Sequence, residues 1–276
     1  MSSLASPRIA FIGGGNMAQA LITGLKQRDF PMQQITVIDP DASKHNQLQK
    51  NLGVRTAQAM TAETLQVDVI VLAVKPQQLK AVADSLAPYL QTQLVLSVAA
   101  GIRTADLSRW LNGYHTLIRT MPNTPAQIQA GVTGAYALAS VSESQRLLAD
   151  SLLQAAGEVV WLADELQLDA VTAISGSGPA YVFLLIEALT DAGVALGLDQ
   201  AQALQLSLAT FKGASLLASS SKTPVATLRE QVTSKGGTTE QGLLSLNQHN
   251  IHAIMQHAAQ QAANRAKTLG DELGGQ

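Results

Sequence analysis

The feature that most constrains this chain lies near its start: "RIAFIGGGNMAQALITGL", residues 8–25, followed by "ITVIDP", residues 35–40. Ile9, Ala10, Phe11 and Ile12 form a short apolar run that predicts a buried strand. Gly13, Gly15 and Ala18 match G-x-G-x-x-A, and Ala20, Leu21, Gly24 and Leu25 then recur at helical spacing. A second strand follows and ends in Asp39, roughly 20 residues past the turn, which completes a dinucleotide-binding fingerprint. Gly13 makes the tight turn, Gly15 lets backbone approach a pyrophosphate, and Ala18 keeps the helix close to the strand. The helix N-terminus then faces the phosphates. Asp39 suits the ribose 2′-hydroxyl of NAD, whereas the nearby Ser43 and Lys44 suit a 2′-phosphate. Both coenzymes, NADH and NADPH, stay open at this point.

Further strands are expected in "VDVIVLAVKP", "QLVLSVAAGI" and "HTLIRTMPNTPAQIQAG". Each ends in small or polar residues: Ala73 to Pro76, Val98 to Gly101, Met121 to Pro125. Open parallel sheets bind ligands at those strand ends, and Lys75 is the charged group there. From about Leu166 strand patterns give way to helices. "DAVTAISGSGPAYVFLLIEALTDAGVALGL" predicts helical segments with a glycine-serine break between them, with Pro179 in a first turn and Gly197 as a stop. Asp199 is the expected N-cap of the next helix, and Thr223, before Pro224, that of a short one. The expected architecture is an α/β N-terminal Rossmann-type domain with a parallel sheet over residues 1–164, plus an all-α C-terminal domain over 165–276. A helix apolar nearly all round is buried. In so small a helical domain the natural partner is a second subunit, so the expected assembly is a homodimer at least.

Composition removes other classes. The net charge of −2 leaves no basic footprint for nucleic acid. The chain has no cysteine, which excludes disulfides and thiol catalysis. No metal site is expected: His249, His252 and His257 lack acidic or thiol company, and Asp164, Glu165 and Asp169 read as a solvated helix start. The N-terminus shows no apolar leader and no apolar run approaches a membrane span, so a cytoplasmic protein without a membrane partner is expected.

"TSKGGTTEQGLL", residues 233–244, sets two glycines and two threonines at the mouth of a helix. Thr238 followed by Gln241 fits a capping box, and free N–H groups beside a glycine-lined backbone make an anion site. The chain therefore offers a dinucleotide site and an anion cradle, with no obvious acid–base pair. Hydride transfer to an already activated acceptor, such as a C=N bond, suits that inventory.

"FIGGGNMAQAL", "AVKP", "SVAAG", "MPNTPA", "SGSGPAYVF" and "SKGGTT" occur in that order along nearly the whole chain. Together they resemble the pyrroline-5-carboxylate reductase family. The resemblance implies reduction of 1-pyrroline-5-carboxylate to L-proline by NAD(P)H, the last step of proline biosynthesis, in a dimer that assembles further into decamers. By the same resemblance, coenzyme contacts fall on Ile12, Gly13, Gly14, Gly15, Asn16 and Met17, on Ala73, Val74, Lys75 and Pro76, and on Val98, Ala99 and Ala100. Gln231 stands where relatives contact the nicotinamide. The substrate carboxylate falls on Gly237, Thr238 and Thr239. The Thr239 hydroxyl is placed near the ring nitrogen, and Ser234 lines the same pocket. Lys235 departs from the family loop, which often carries Pro there.

Two rival readings compete with this one. A hydroxyacid dehydrogenase with a helical C-terminal domain would need a lysine and an asparagine one turn apart, but Lys212 is followed at that spacing by Leu216. A non-catalytic dinucleotide sensor would have no use for the "SKGGTT" and "MPNTP" loops.

Overall fold

A computed structural model of the chain describes residues 6–275. Among these residues the first compact unit comprises 6–177 together with 261–275, and the second comprises Gly178–Gln260. The expected boundary at 164 therefore falls inside the first unit.

In the first unit β1 (Ile9–Ile12), β2 (Ile35–Ile38), β3 (Arg55–Ala57), β4 (Val69–Leu72), β5 (Leu94–Ser97), β6 (Leu117–Met121), β7 (Gly131–Ala137) and β8 (Gly157–Trp161) form one sheet in the order 3-2-1-4-5-6-7-8. The first six follow the doubly wound order that reverses beside β1. All pairings are parallel except β6 with β7. Sequence reasoning had not distinguished β3, β7 or β8: β3 spans three residues, and β7 carries Gly131 and Gly134 in place of an apolar run.

β1, β4 and β5 are buried at every position, as expected for strands covered on both faces. Alternation divides them between two cores. Ile9 and Phe11 pack with Ala18 and Leu21 of α1 (Asn16–Gln27), Leu48 of α2 (His45–Leu52) and Leu152 of α5 (Glu143–Gln154). Ala10 and Ile12 pack with Leu79 of α3 (Pro76–Leu86) and Leu107 of α4 (Thr104–Trp110) on the other face. Gly24 is required where α1 meets the chain at Ala155, because a Cβ there would land on the Ala155 carbonyl.

Glu165 and Asp169 are not solvated. Glu165 accepts the backbone N–H of Thr104 at 2.7 Å and its hydroxyl at 2.6 Å, which caps α4, and it pairs with Arg119 at 3.0 Å. Asp169 lies 3.8 Å from the same guanidinium. These contacts pin α6 (Gln167–Val171) to the sheet, which is why the first unit extends past 164. Gly270 passes against the Gly101 carbonyl and Arg103 pairs with Asp271 at 2.8 Å, holding the chain's end on the same unit.

The glycine-serine stretch interrupts the α-helical pattern with a π-helical turn and a bend at Ser177. α6 continues through a π-helical turn, Thr172–Gly176, directly towards α7 (Gly178–Ala195). The resulting helix, 167–195, is long and apolar enough to cross a membrane by length and composition, with mean hydropathy 1.3. Sequence reasoning missed it because it read the glycines as separating two helical segments.

The second unit holds α7, α8 (Gln200–Ser220), α9 (Val225–Gln231), α10 (Thr238–Gln248) and the first part of α11 (Ile251–Gly274). Asp199 caps α8 as expected, in a capping box with Gln202, and Gly197 takes the left-handed conformation that ends α7. The N-cap of α9 is Pro224, one residue later than expected. Phe183, Leu184, Leu204, Leu206 and Leu208 are all exposed in the single chain.

Candidate active site

A cleft of about 1000 Å³ opens at the C-terminal ends of β1, β2 and β4, where the strand order reverses. Register sets its floor. Gly13 donates to Ile38, Ala73 donates to Ile12 at 2.8 Å, and Val98 donates to Leu72 at 3.1 Å. The glycine turn, the "AVKP" turn and the "SVAAG" turn thus leave adjacent strands at one level. Gly13 has φ +97°, and a Cβ there would meet the Ala73 carbonyl oxygen at 2.7 Å, so no other residue fits that turn without displacing the neighbouring strand end. Gly15 faces open space. It is also the N-cap of α1, with no side chain satisfying the first N–H groups. These are the properties a pyrophosphate needs: close approach, free donors and the positive end of a helix.

Of the expected coenzyme residues, Ile12, Gly13, Gly14, Gly15, Asp39, Ala73, Val74 and Lys75 line the cleft. Asn16 and Met17 open α1 and Pro76 opens α3 at its rim, outside the lining itself. Val98, Ala99 and Ala100 follow β5 and also lie outside the lining. Gln231 ends α9 in the second unit. Sequence reasoning missed the far wall, which is built by Gln58 and Met60 after β3 and by Gln78, Val82 and Ser85 on α3. The helical spacing of those α3 residues was a readable signal, although nothing marked them as ligand-facing.

Asp39 is 5% exposed. Its carboxylate accepts the Gly14 N–H at 2.9 Å and the Asp41 N–H at 3.0 Å, and Lys44 Nζ lies 3.2 Å away. Burial works against its charge, but the Gly14 and Asp41 N–H groups and the Lys44 ammonium outweigh it and hold the carboxyl below its ordinary value. Asp39 thus braces the glycine turn as an ionised group.

In the second unit, α10 starts at Thr238 with Gly237 as N-cap, in extended backbone at φ −83° and ψ 170°. The expected capping box is therefore displaced: the third helical residue is Glu240, not Gln241, and Glu240 accepts the Gly236 N–H at 2.8 Å. No side chain caps the helix. The first N–H groups of α10 and the hydroxyls of Thr238 and Thr239 have no partner among the described residues, and both threonines are exposed. Gly236, at φ +75°, turns the loop, and a Cβ on Gly237 would collide with the Ser234 hydroxyl. The loop therefore places Gly237, Thr238, Thr239 and Ser234 together. Among the described residues no group of His, Cys, Asp and Glu has the arrangement of a metal site.

The helical region, residues 165–269, matches the family model described as pyrroline-5-carboxylate reductase dimerisation, and residues 8–101 match that described as NADP oxidoreductase coenzyme F420-dependent. The chain is 45% identical to the pyrroline-5-carboxylate reductase of Pseudomonas aeruginosa over 98% of its length and 100% of the relative's. It is 39% identical to that of Haemophilus influenzae over 95% of this chain and 97% of the relative. Its fold matches the solved pyrroline-5-carboxylate reductase of Coxiella burnetii with a TM-score of 0.92 at 40% identity, covering 96% of this chain and 98% of that one. The Plasmodium falciparum pyrroline carboxylate reductase, solved with NADP bound, matches with a TM-score of 0.84 at 29% identity, covering 96% and 98%.

Proposed function

This chain belongs to the pyrroline-5-carboxylate reductase family, and on that premise we propose how its residues divide the reaction. It is an NAD(P)H-dependent oxidoreductase of proline biosynthesis, reducing the C=N bond of 1-pyrroline-5-carboxylate to give L-proline. The bound coenzyme supplies the hydride that adds to the imine carbon, while the ring nitrogen ends with a proton. The residues of the cleft fit that coenzyme: Gly13 and Gly15 admit it and the open start of α1 receives its pyrophosphate. Asp39 holds the turn that presents those donors.

The observation that carries the substrate assignment is the start of α10, where unpaired N–H groups stand beside two unpaired hydroxyls. We assign the substrate carboxylate to the loop at Gly237, Thr238 and Thr239, where the N–H groups of Thr238 and Thr239 donate to it, the Gly237 N–H being held by the Ser234 carbonyl at 3.0 Å. Helix starts favour anions by about 0.3–1 kcal/mol beyond the hydrogen bonds themselves. The Thr239 hydroxyl orients the ring nitrogen and relays to it a proton taken from solvent, which forms the protonated imine before the hydride arrives, and Ser234 shapes the same loop. Gln231 we place against the nicotinamide. No strong acid is needed, because a protonated imine already accepts hydride.

Dimerisation is the family's property for residues 165–269, and the exposed leucines of α7 and α8 supply an apolar surface for it. We propose that dimers assemble further into decamers and that the enzyme works in the cytoplasm. The deciding experiment is the initial rate of NADH and NADPH oxidation with 1-pyrroline-5-carboxylate, for the wild type and Gly237→Val. Turnover by the wild type with a raised KM for the pyrroline acid in the variant supports the cradle. An unchanged KM sinks the cradle, and no turnover with either coenzyme sinks the assignment of the reaction to these residues.

A further inference from the structure

We infer that this chain takes NADH in preference to NADPH, and that the selecting group is the Asp39 carboxylate, whose neighbouring cation is already engaged. The inference rests on the dinucleotide reading above and deepens it. In a doubly wound sheet the acid at the end of β2 meets the adenosine ribose, and Asp39 lines the cleft there.

Four observations settle its effect on a 2′-phosphate. First, Asp39 cannot swing aside cheaply, because its oxygens hold the Gly14 N–H at 2.9 Å and the Asp41 N–H at 3.0 Å. Turning it away would leave a buried N–H of the glycine turn unpaired. Second, Lys44 is shared by two carboxylates, Asp39 at 3.2 Å and Asp41 at 3.7 Å. Third, the Ser43 hydroxyl, the other candidate for a phosphate, donates to Asp41. Fourth, the other lysine lining the cleft, Lys75, follows β4, on the far side of β1 from β2. That is two strand spacings, roughly 10 Å, across the sheet.

Among the described residues lining the ribose end, Asp39, Asp41 and Lys44 bring two carboxylates and one ammonium, which sum to a charge of −1. A 2′-hydroxyl donates a hydrogen bond to Asp39 and gains from it. A phosphate monoester brings about −1.5 to −2 charges and acceptor oxygens only. It meets a fixed carboxylate, and it must compete with two carboxylates for the Lys44 ammonium.

The test is isothermal titration of the purified protein with NAD+ and NADP+, each alone, in low salt and in high salt. Without pyrroline no turnover is involved. The expected ratio of Kd for NADP+ to Kd for NAD+ is tenfold or more at low salt, shrinking as salt screens the repulsion. A ratio below one, or a ratio that grows with salt, overturns the inference, since it would show Lys44 serving as a phosphate ligand. Asp39→Ser should bring the ratio to one or below, and an unchanged ratio also overturns it. In case Asp39→Ser binds neither coenzyme through loss of its brace on Gly14, Asp41→Asn reads the same charge. It keeps the amide-oxygen acceptor for Ser43, lies half exposed and leaves the Gly14 contact intact, so its ratio should fall severalfold, and no change counts against the proposal. A chain that bound both coenzymes yet failed to reduce the pyrroline would leave these ratios as they are, so the two readings fail separately.

Discussion

The Arg119 guanidinium, 6% exposed on β6, lies 3.0 Å from the Glu165 carboxylate, and that same carboxylate receives both donors of Thr104. One acid thereby ties the sheet, the start of α4 and the approach to α6. Removing one partner of a buried pair strands the other's charge, whereas the intact pair itself adds little net stability.

Glu165→Ala is therefore expected to cost about 3 kcal/mol, softened somewhat because Asp169 stays 3.8 Å from Arg119. Urea midpoints at one fixed protein concentration measure it. Replacing both partners, with Arg119→Met added, should recover part of the loss. A double variant no more stable than Glu165→Ala would mean that the cost lies in the α4 cap and not in the stranded charge.

Thr239→Val removes a hydroxyl that caps nothing and keeps the shape of the side chain. Loss of proton relay predicts a fall in kcat of about a hundredfold, with coenzyme Kd unchanged. Thr238→Val, which leaves the relay in place, should change kcat far less. Steady-state rates with 1-pyrroline-5-carboxylate compare them, and equal losses in the two variants would remove the special role of Thr239.

The state of Asp39 has a pH consequence. Its folded carboxyl lies below the ordinary 3.8. The contribution of the ionised form is therefore complete above that value and is lost only as pH falls through the lowered folded one. From about pH 5 to about pH 8 the brace on Gly14 is constant. The NAD+ affinity of the wild type divided by that of Asp39→Asn should then stay level over this range. A ratio that changes with a midpoint near neutrality would place the proton on Asp39 and contradict the geometry.

Leu184, 61% exposed in the single chain, faces a shallow groove with Phe183, Leu204 and Leu208. A charge there meets the apolar surface of a second subunit, where an unpaired ion is costly. Leu184→Lys should shift the protein towards monomer in light scattering coupled to size exclusion, with activity falling in step. Full activity in a monomer would show that one chain suffices.

Much of the site was legible because its determinants are local. The glycine turn needs φ > 0 and close approach at Gly13, so the requirement is written in adjacent letters. The α10 loop was legible as a helix start with bare N–H groups but not in its capping: Thr238 and Gln241 have the right spacing for a box, yet the extended conformation of Gly237 begins the helix one residue earlier than that box requires. The far wall of the cleft was not legible, since the same α3 residues would suit any solvated helix face.

By itself the sequence determined what depends on neighbours along the chain: the β1–turn–α1 unit, the acid at the end of β2, the change to helices, and the loop with its bare N–H groups. Only the tertiary structure decided what depends on neighbours in space. Strand register set Gly13, Ala73 and Val98 side by side. Glu165 found Arg119 across 46 residues and became part of the sheet's unit and not a solvated helix start. Lys44, free to serve a phosphate when read as a letter, closed onto Asp39. Periodicity reports which face of an element is apolar, but a charged side chain's role depends on which opposite charge the fold brings within about 4 Å of it, and that is settled by the packing of elements distant along the chain.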